Sequence, residues 1–576
     1  MSIVNFFLCF FIVDYAYFRI VIQMNYKVLY ENSDASLIDR LLQARGITDS
    51  PSDFLNPSFT RYRQSPSQLN DIEKALDRIQ LAIANNEKIM VFGDYDVDGV
   101  TASYVVYTYF KKFLWYNNIS IRLPHRLKDW YGIKSYHLDE IHAAGVSLVI
   151  TVDNGITAVV EADYAKKLWI DLIITDHHKQ LDKIPDGFAV INPHISPKMR
   201  FTEMCGATVA FKVMRWLTER IFDDRITKES IFQFFLPIVA IASVADCMPL
   251  IDENRLLVKT WLDYINTWKS KPLSLRNFID YLNIKWPLDT YHIWFLLAPR
   301  INAGWRVMTP YDSLYTLLHT WDKQLAYLQN LDDLNTKRKK IQDDMMKIAE
   351  WLIDLQAPVI VVWSVDFHEW VIWIVAGRLC EKYHRPTVVY GINTEEWIAV
   401  ASCRGPEFAS IIDMLYSQAP LLDRYGWHKQ AWWLTMKLEN IDSFVAWVCE
   451  FALQYGVQEK RKIVTIDTIL YPQEYNTASL AIVNQLAPFW QANAEPMFLI
   501  PNATVVTVEK VWKNWKGHMK LRARYENIQI TCMFWWSWNE IDSLLLWSVI
   551  SIAGKLQKDD FNGWVYLVGE DWVVHE

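Results

Sequence analysis

Glycine is scarce in this chain: 18 in 576 residues, against 28 tryptophans. An average composition would supply roughly 40 glycines. Cysteine is thin as well, with Cys9, Cys205, Cys247, Cys380, Cys403, Cys449 and Cys532 scattered and no Cys-x-x-Cys among them. That excludes a zinc ribbon and a disulfide scaffold, and suits a reducing cytoplasm. There is no excess of positive charge either; 58 Lys and Arg stand against 66 Asp and Glu, a net charge of −8. Any nucleic-acid binding must therefore use local basic patches rather than a global field. Long apolar runs are missing too. Residues 3–13 are apolar, but Asp14 interrupts them, no basic residue precedes them and no small-residue cleavage site follows. The run is too short to span a bilayer. Ordinary soluble sequence begins at Asn25, so Met24 is the expected start.

With 52% hydrophobic and 22% charged residues the composition is that of a globular protein, and the length calls for two to four domains. Its central stretch is 89–113. The apolar run 89–92 predicts a short buried strand. Gly93 follows, then Asp94, Asp96 and Asp98 at alternating positions, and Gly99 opens an apolar-periodic segment that predicts a helix over 100–113. In an extended segment the three carboxylates point to one side and repel one another unless a cation sits between them. An isolated pattern of this kind reads equally well as a solvated acidic turn, so its surroundings decide. Strands are predicted at 119–123, 148–152 and 171–175, with helices at 136–144 and 158–168 between them. Such alternation builds a parallel sheet, whose ligands sit beyond the carboxyl ends of the strands. Asp153-Asn154-Gly155 and Asp176-His177-His178 fall at those ends, and Ala245-Asp246 ends another apolar run. One aspartate at a strand end is usually a helix cap. Together they put at least five carboxylates and two imidazoles on one sheet edge, a donor set suited to Mn²⁺ or Mg²⁺. A pair of such ions is a known device for hydrolysing phosphate esters.

In order and spacing, Gly93-Asp94-Tyr95-Asp96-Val97-Asp98-Gly99, Asp153-Asn154-Gly155, Asp176-His177-His178 and Ala245-Asp246 resemble the four motifs of the DHH phosphoesterases. Pro124-His125-Arg126, Asn254-Arg255, Arg300-Ile301-Asn302-Ala303-Gly304 and Ser402-Cys403-Arg404 narrow the resemblance to the branch that degrades single-stranded DNA. It runs from about residue 34 to the C-terminus. It implies an α/β architecture in which an extension, 1–33, precedes a parallel-sheet DHH domain over 34–321. A long connecting helix over 322–356, charged but with leucines at helical spacing, leads to a second α/β, DHH-associated domain over 357–458. A C-terminal β-barrel of oligonucleotide-binding type over 459–576 would include Ala487-Pro488-Phe489 and Asn493-Ala494-Glu495-Pro496. Gly426-Trp427-His428 resembles the Gly-Gly-His motif of the DHH-associated domain.

The resemblance also implies roles. Asp96, Asp98, Asp153, His177 and Asp246 would ligate two Mn²⁺ or Mg²⁺ ions, with Asp98 or Asp153 bridging and Asp94 in support. His178 and Arg306 would contact the scissile phosphate. Arg126, Ser402 and Arg404 would hold the 5′ end, and His368 and His428 the backbone. The expected activity is 5′→3′ hydrolysis of single-stranded DNA to mononucleotides in repair and recombination, by a cytoplasmic monomer. Its expected partners are a single-strand-binding protein and a helicase, with no membrane. Two alternatives are a phosphodiesterase acting on short oligonucleotides or cyclic dinucleotides, and a non-catalytic replication scaffold of the same fold.

Tryptophan stands where this resemblance expects glycine, at Trp130, Trp305, Trp370, Trp373, Trp427, Trp433 and Trp490. Glycine serves where φ is positive or where backbone must nearly touch a phosphate, so the exchange is severe. Tryptophan that stacks on bases would not be confined to tight turns. A gene that reads UGA as glycine accounts for both the deficit and the excess.

Overall fold

The structure, a computed structural model, describes residues 25–125, 129, 132–267, 273–307, 309–406, 422–428, 431–454, 463–513, 516–535, 544–559 and 562–575. Strand β1 (Ile89–Phe92) is apolar at every position because its sheet is covered on both faces. It runs into helix α1 (Val97–Thr108), and β2 (Ile119–Arg122), β3 (Leu148–Val152), β4 (Asp171–Thr175) and β5 (Ala189–Ile191) follow. All pair in parallel, in the order β2-β1-β3-β4-β5. The chain thus leaves β1 toward opposite sides of the sheet. That reversal opens a crevice at the carboxyl ends of β1 and β3, the place where open α/β sheets bind ligands.

The helix expected over 100–113 starts at Val97 instead. The Asp96 carboxylate accepts the Gly99 N–H at 3.1 Å and caps it. Asp98 consequently sits in the first helical turn, not on an extended segment beside Asp94 and Asp96. Helix α1 is buried on nearly every side, packing with α2 (Gly206–Ile221) and α3 (Arg225–Ala245). Helix α3 is long and apolar enough to cross a membrane, but most of its apolar residues from Ile231 to Val244 lie in the protein core. Asp246 is its C-terminal cap, so a helix and not the sheet edge delivers this acid.

Beyond α4 (Ala298–Val307) comes α5 (Trp321–Leu352), which buries Leu328, Leu331, Leu334, Met345 and Ala349 at helical spacing. Next are β6 (Ile360–Ser364), α6 (Ile372–Tyr383), β7 (Thr387–Asn393), β8 (Ile398–Arg404), β9 (Arg424–His428) and β10 (Ala431–Lys437). This second sheet has the order β9-β10-β8-β7-β6, parallel only between β6 and β7.

Packing divides the chain into two units, neither continuous in sequence. One comprises the residues up to Asp49, Lys462–Val483 and the chain from Pro496; the other comprises Ser50–Arg461 and Asn484–Glu495. In the first, Asn25–Val28 pairs in parallel with Ile463–Ile466, and the buried Arg40 guanidinium donates to both carboxylate oxygens of Glu474 at 2.5 and 2.6 Å. Strands β11 (Thr468–Ile469), β12 (Phe498–Lys513), β13 (Lys516–Tyr525), β14 (Ile528–Phe534), β15 (Val549–Lys558) and β16 (Val565–His575) follow the order β11-β12-β13-β14-β16-β15. Strand β15 pairs back onto β12, which closes five of them into a barrel and leaves those strands no open edge.

Residues 484–495, expected within that barrel, belong to the other unit. Thr290 Oγ1 donates to the Phe489 carbonyl at 2.6 Å, and Leu250 N to that of Gln491 at 2.8 Å. Arg255 is the central tie: its side chain donates to the carbonyls of Phe54 and Ala487, each at 3.0 Å, and lies 3.9 Å over the Phe54 ring. Arg255→Ala strands two partly buried carbonyls and removes the cation over the Phe54 ring, and should destabilise this unit by about 3 kcal/mol. A urea midpoint within error of the unchanged chain would refute this.

Candidate metal centre

Each acid reaches the crevice by its own route. Asp94 follows β1, and Asp98 rides the first turn of α1. Asp153 follows β3 with φ at 62°, a left-handed backbone that turns it back over the sheet. Its N–H donates to the Thr175 carbonyl at 3.0 Å, while Asn154 Nδ2 ties the turn to the carbonyls of Phe92 and Val152 at 3.2 and 2.9 Å. Gly155, at φ 111°, completes a turn that a side chain would strain. His177 and His178 follow β4.

These routes converge. His177 Nε2 lies 3.1 Å from Asp153 Oδ1, 3.7 Å from Asp98 Oδ2 and 3.6 Å from Asp246 Oδ2. Three sets each bring their ligand atoms within 4.8 Å of one another: Asp94, Asp96 and Asp153; Asp98, His177 and Asp246; and Asp153, His177 and His178. His177 Nε2 and Asp246 Oδ2 are buried and make no hydrogen bond among the described residues. A cation between them would satisfy both. The donor set, hard carboxylate oxygens with one deeply buried imidazole, fits two Mn²⁺ or Mg²⁺ ions.

The electrostatics agree. Burial first, then the neighbouring acids, raises the Asp153 and Asp246 carboxyls well above their usual range. Asp98 is raised mainly by burial, against the pull of His177. Burial and the adjacent His178 lower His177 to about 4, leaving it neutral, as a metal ligand must be. His178 behaves oppositely. Burial disfavours its charge, but Asp176 Oδ1 at 2.8 Å from Nδ1 outweighs burial and lifts the ring to about 9. Despite burial, Asp176 falls to about 2 under His178 and the backbone donors around it. Those donors include the N–H groups of Ile156, His177 and His178 at 2.9, 2.7 and 3.1 Å.

Two features escaped the sequence reading. Asp176 holds His178 rather than serving only as part of a motif. The N-terminus of α2 grips Asp98: Gly206 N donates to Oδ2 at 2.5 Å and Ala207 N to Oδ1 at 2.8 Å. A Cβ on Gly206 would lie 2.6 Å from Asp153 Cβ and 2.9 Å from its Cα. The available signal was Cys205-Gly206-Ala207 opening an apolar-periodic segment.

The remaining site residues form a second group. The Trp305 ring packs on Tyr95, between two of the acids, at 5.1 Å. The Arg306 guanidinium lies 4.9 Å from the Trp305 ring and 4.7 Å from that of Trp373, which Arg404 approaches to 6.0 Å. Arg404 donates to Ser402 Oγ at 3.0 Å, next to it on β8. His368 is exposed and accepts from Trp370 N at 3.4 Å. The His428 backbone pairs with Ala431 at the end of β9. Arg126 and Trp130 lie outside the described residues, as do the side chains of Trp427 and His428. Trp305 is in helix α4 and Trp373 in helix α6, not in tight turns as expected.

Comparison with known protein families matches residues 88–242 to the N-terminal domain of the DHH family and 466–567 to the RecJ OB domain. The chain is 30% identical over 535 residues to the single-stranded-DNA-specific exonuclease RecJ of Bacillus subtilis, covering 91% of this chain and 66% of that protein. It therefore spans just under two thirds of that relative's length. The crystal structure of RecJ from Thermus thermophilus in complex with Mn²⁺ has the same fold, with a TM-score of 0.79, 23% identity, and 96% of this chain and 80% of that one covered. A manganese-bound exonuclease RecJ superimposes with a TM-score of 0.57 at 28% identity, over 67% of this chain and 95% of that one. With its acids gathered at the β1–β3 crevice and a closed barrel at its C-terminus, the chain carries a DHH-family domain over 88–242 and a RecJ-type OB domain over 466–567, and it is similar to RecJ exonucleases over most of its own length.

Proposed function

We propose that the chain is a divalent-metal-dependent exonuclease that degrades single-stranded DNA from its 5′ end to mononucleotides, in repair and recombination in the cytoplasm. The observation that carries this reading is the convergence of Asp98, Asp153, His177 and Asp246 on one buried point, close enough to share cations. Asp96, Asp98, Asp153, His177 and Asp246 would hold two Mn²⁺ or Mg²⁺ ions, with Asp94 supporting them. When bound, such a pair supplies Lewis acidity toward a phosphoryl oxygen and makes water a stronger nucleophile near neutral pH. The chain's own residues do the rest. Asp176 keeps the His178 ring cationic and oriented, so that it can meet charge developing on the scissile phosphate. Arg306 would face the same phosphate. Arg126, Ser402 and Arg404 would hold the 5′ end, since guanidinium forks match phosphate oxygens. His368 and His428 would contact the backbone behind it. The closed barrel offers affinity for longer strands, which a cyclic dinucleotide would not need. Working as a monomer with a single-strand-binding protein and a helicase would supply such strands.

The test is release of label from single-stranded oligonucleotides marked at either end, with Mn²⁺ and with chelator. Mononucleotides should leave the 5′ end first, only with metal, and duplex DNA should resist. Hydrolysis confined to dinucleotides or cyclic dinucleotides would replace this reading, and metal-bound protein that cleaves nothing would make it a scaffold.

A further inference from the structure

Among the described residues, fifteen other than glycine hold a positive φ, and five of them are tryptophan: Trp115, Trp169, Trp321, Trp397 and Trp547, with φ between 55° and 72°. A bulky side chain is a genuine outlier there, because its Cβ crowds the following carbonyl. The five indoles are also 67–89% exposed. They bury little apolar surface in return for the strained backbone.

The protein itself shows which residue such positions take. Helix Leu37–Ala44 ends with Gly46 at φ 68°, Gly46 N on the Gln43 carbonyl and Ile47 N on that of Leu42. Helix Ser135–Ala143 ends in the same way with Gly145 at φ 72°, bonded to His142, and Val146 to Ile141. Helix Val159–Lys167 repeats the pattern bond for bond: Trp169 N donates to Lys166 O at 3.1 Å and Ile170 N to Ala165 O at 3.0 Å, with φ 59°. This is the helix-ending turn in which glycine is the usual residue and asparagine the common substitute. Asn86 and Asn283, both at φ 50°, fill two further such ends here. Trp397 holds a left-handed backbone in the β7–β8 hairpin, immediately before β8, where glycine again is favoured.

We propose that these five positions are glycine in the native polypeptide, its gene reading UGA as glycine. The positions were picked out by backbone geometry, and they differ from those picked out by motif resemblance. Two independent routes thus reach one conclusion, which also supplies the missing glycines. The same decoding at 305 and 373 would remove both indoles that lie against Arg306 and open the approach to Arg306 and Arg404; this part rests on the proposed function.

Peptide mass spectrometry of the protein from its own cells should read glycine at 115, 169, 321, 397 and 547, and the gene should carry UGA there. Tryptophan mass, or a UGG codon, at any of the five overturns the proposal and leaves exposed indoles available for base stacking. A recombinant chain with Trp→Gly at all five should melt higher than the all-tryptophan chain by at least about 5 °C; an equal or lower Tm also counts against it. Adding Trp305→Gly and Trp373→Gly should tighten single-strand binding at least tenfold. If the five glycines are found and that gain is absent, the reading of Arg306 and Arg404 fails while the decoding stands.

Discussion

Asp98→Ala or Asp153→Ala should cut turnover on single-stranded DNA at least about a thousandfold, the several kcal/mol that a metal pair contributes to a phosphoryl transition state. Both side chains are almost wholly buried, at 1% and 2% exposure, and both face His177. Neither can be replaced by water without changing the cation site. Binding of a long single strand should change less than about threefold, because the basic residues assigned to it lie elsewhere. A second readout separates metal loss from misfolding. Without a cation the unchanged chain holds several mutually repelling acids in a buried crevice, so Mn²⁺ should raise its Tm by mass action. In Asp153→Ala the metal-free Tm should not fall, whereas Asp98→Ala also loses the two amide bonds from α2 and should melt lower; in both, the Mn²⁺-induced rise should shrink or vanish. Turnover that survives, or a full Mn²⁺ shift in both variants, would sink the assignment.

Gly206→Ala should be nearly as damaging although it removes no functional group. The added methyl would meet the backbone Cα of Asp153 as well as its Cβ, so no flexible side chain can swing away to make room. We expect at least a hundredfold loss of kcat. Ala207→Pro is the subtler companion: it deletes one of the two amides that hold Asp98. Proline is tolerated in the first turn of a helix, so α2 should persist by circular dichroism. A hydrogen bond to a buried carboxylate is worth about 1.5–3 kcal/mol. That predicts a roughly 10- to 150-fold weaker Mn²⁺ half-saturation, with kcat recovered in part at high metal. Unchanged metal dependence would reduce the amide pair to an ordinary helix end.

Four of the five strands of the sheet were readable from sequence as short apolar runs, three of them (β1, β3 and β4) leading into acids; β5 was not expected, since its three residues are too few to show a pattern. The helices expected at 136–144 and 158–168 came within one residue of their observed ends, Ser135–Ala143 and Val159–Lys167, whereas α1 begins three residues before its expected start. What failed did so for reasons of geometry. Asp94, Asp96 and Asp98 alternate like a strand, but Asp96 caps a helix through Gly99, a local bond that periodicity does not report. Asp246 looked like another strand-end acid, since a buried helix and a buried strand are both apolar on all sides. The grip of α2 on Asp98 joins residues 108 and 109 positions apart, and its donors are main-chain amides that no residue type advertises. The tryptophans were suspected from composition, but only φ angles separate Trp169 from an ordinary surface aromatic.

The interleaved packing sets a timetable for synthesis. The segment up to Asp49 has its partners in Lys462–Val483 and in the chain from Pro496, so the barrel unit stays incomplete until nearly the whole chain has been made. At about 5–20 residues per second, roughly 400 intervening residues take on the order of 20–80 s. During that interval the strand Asn25–Val28 waits with an unpaired edge, while most of the larger unit, including every metal-site acid, has already left the ribosome. The metal crevice can therefore fold and load before the C-terminal barrel exists.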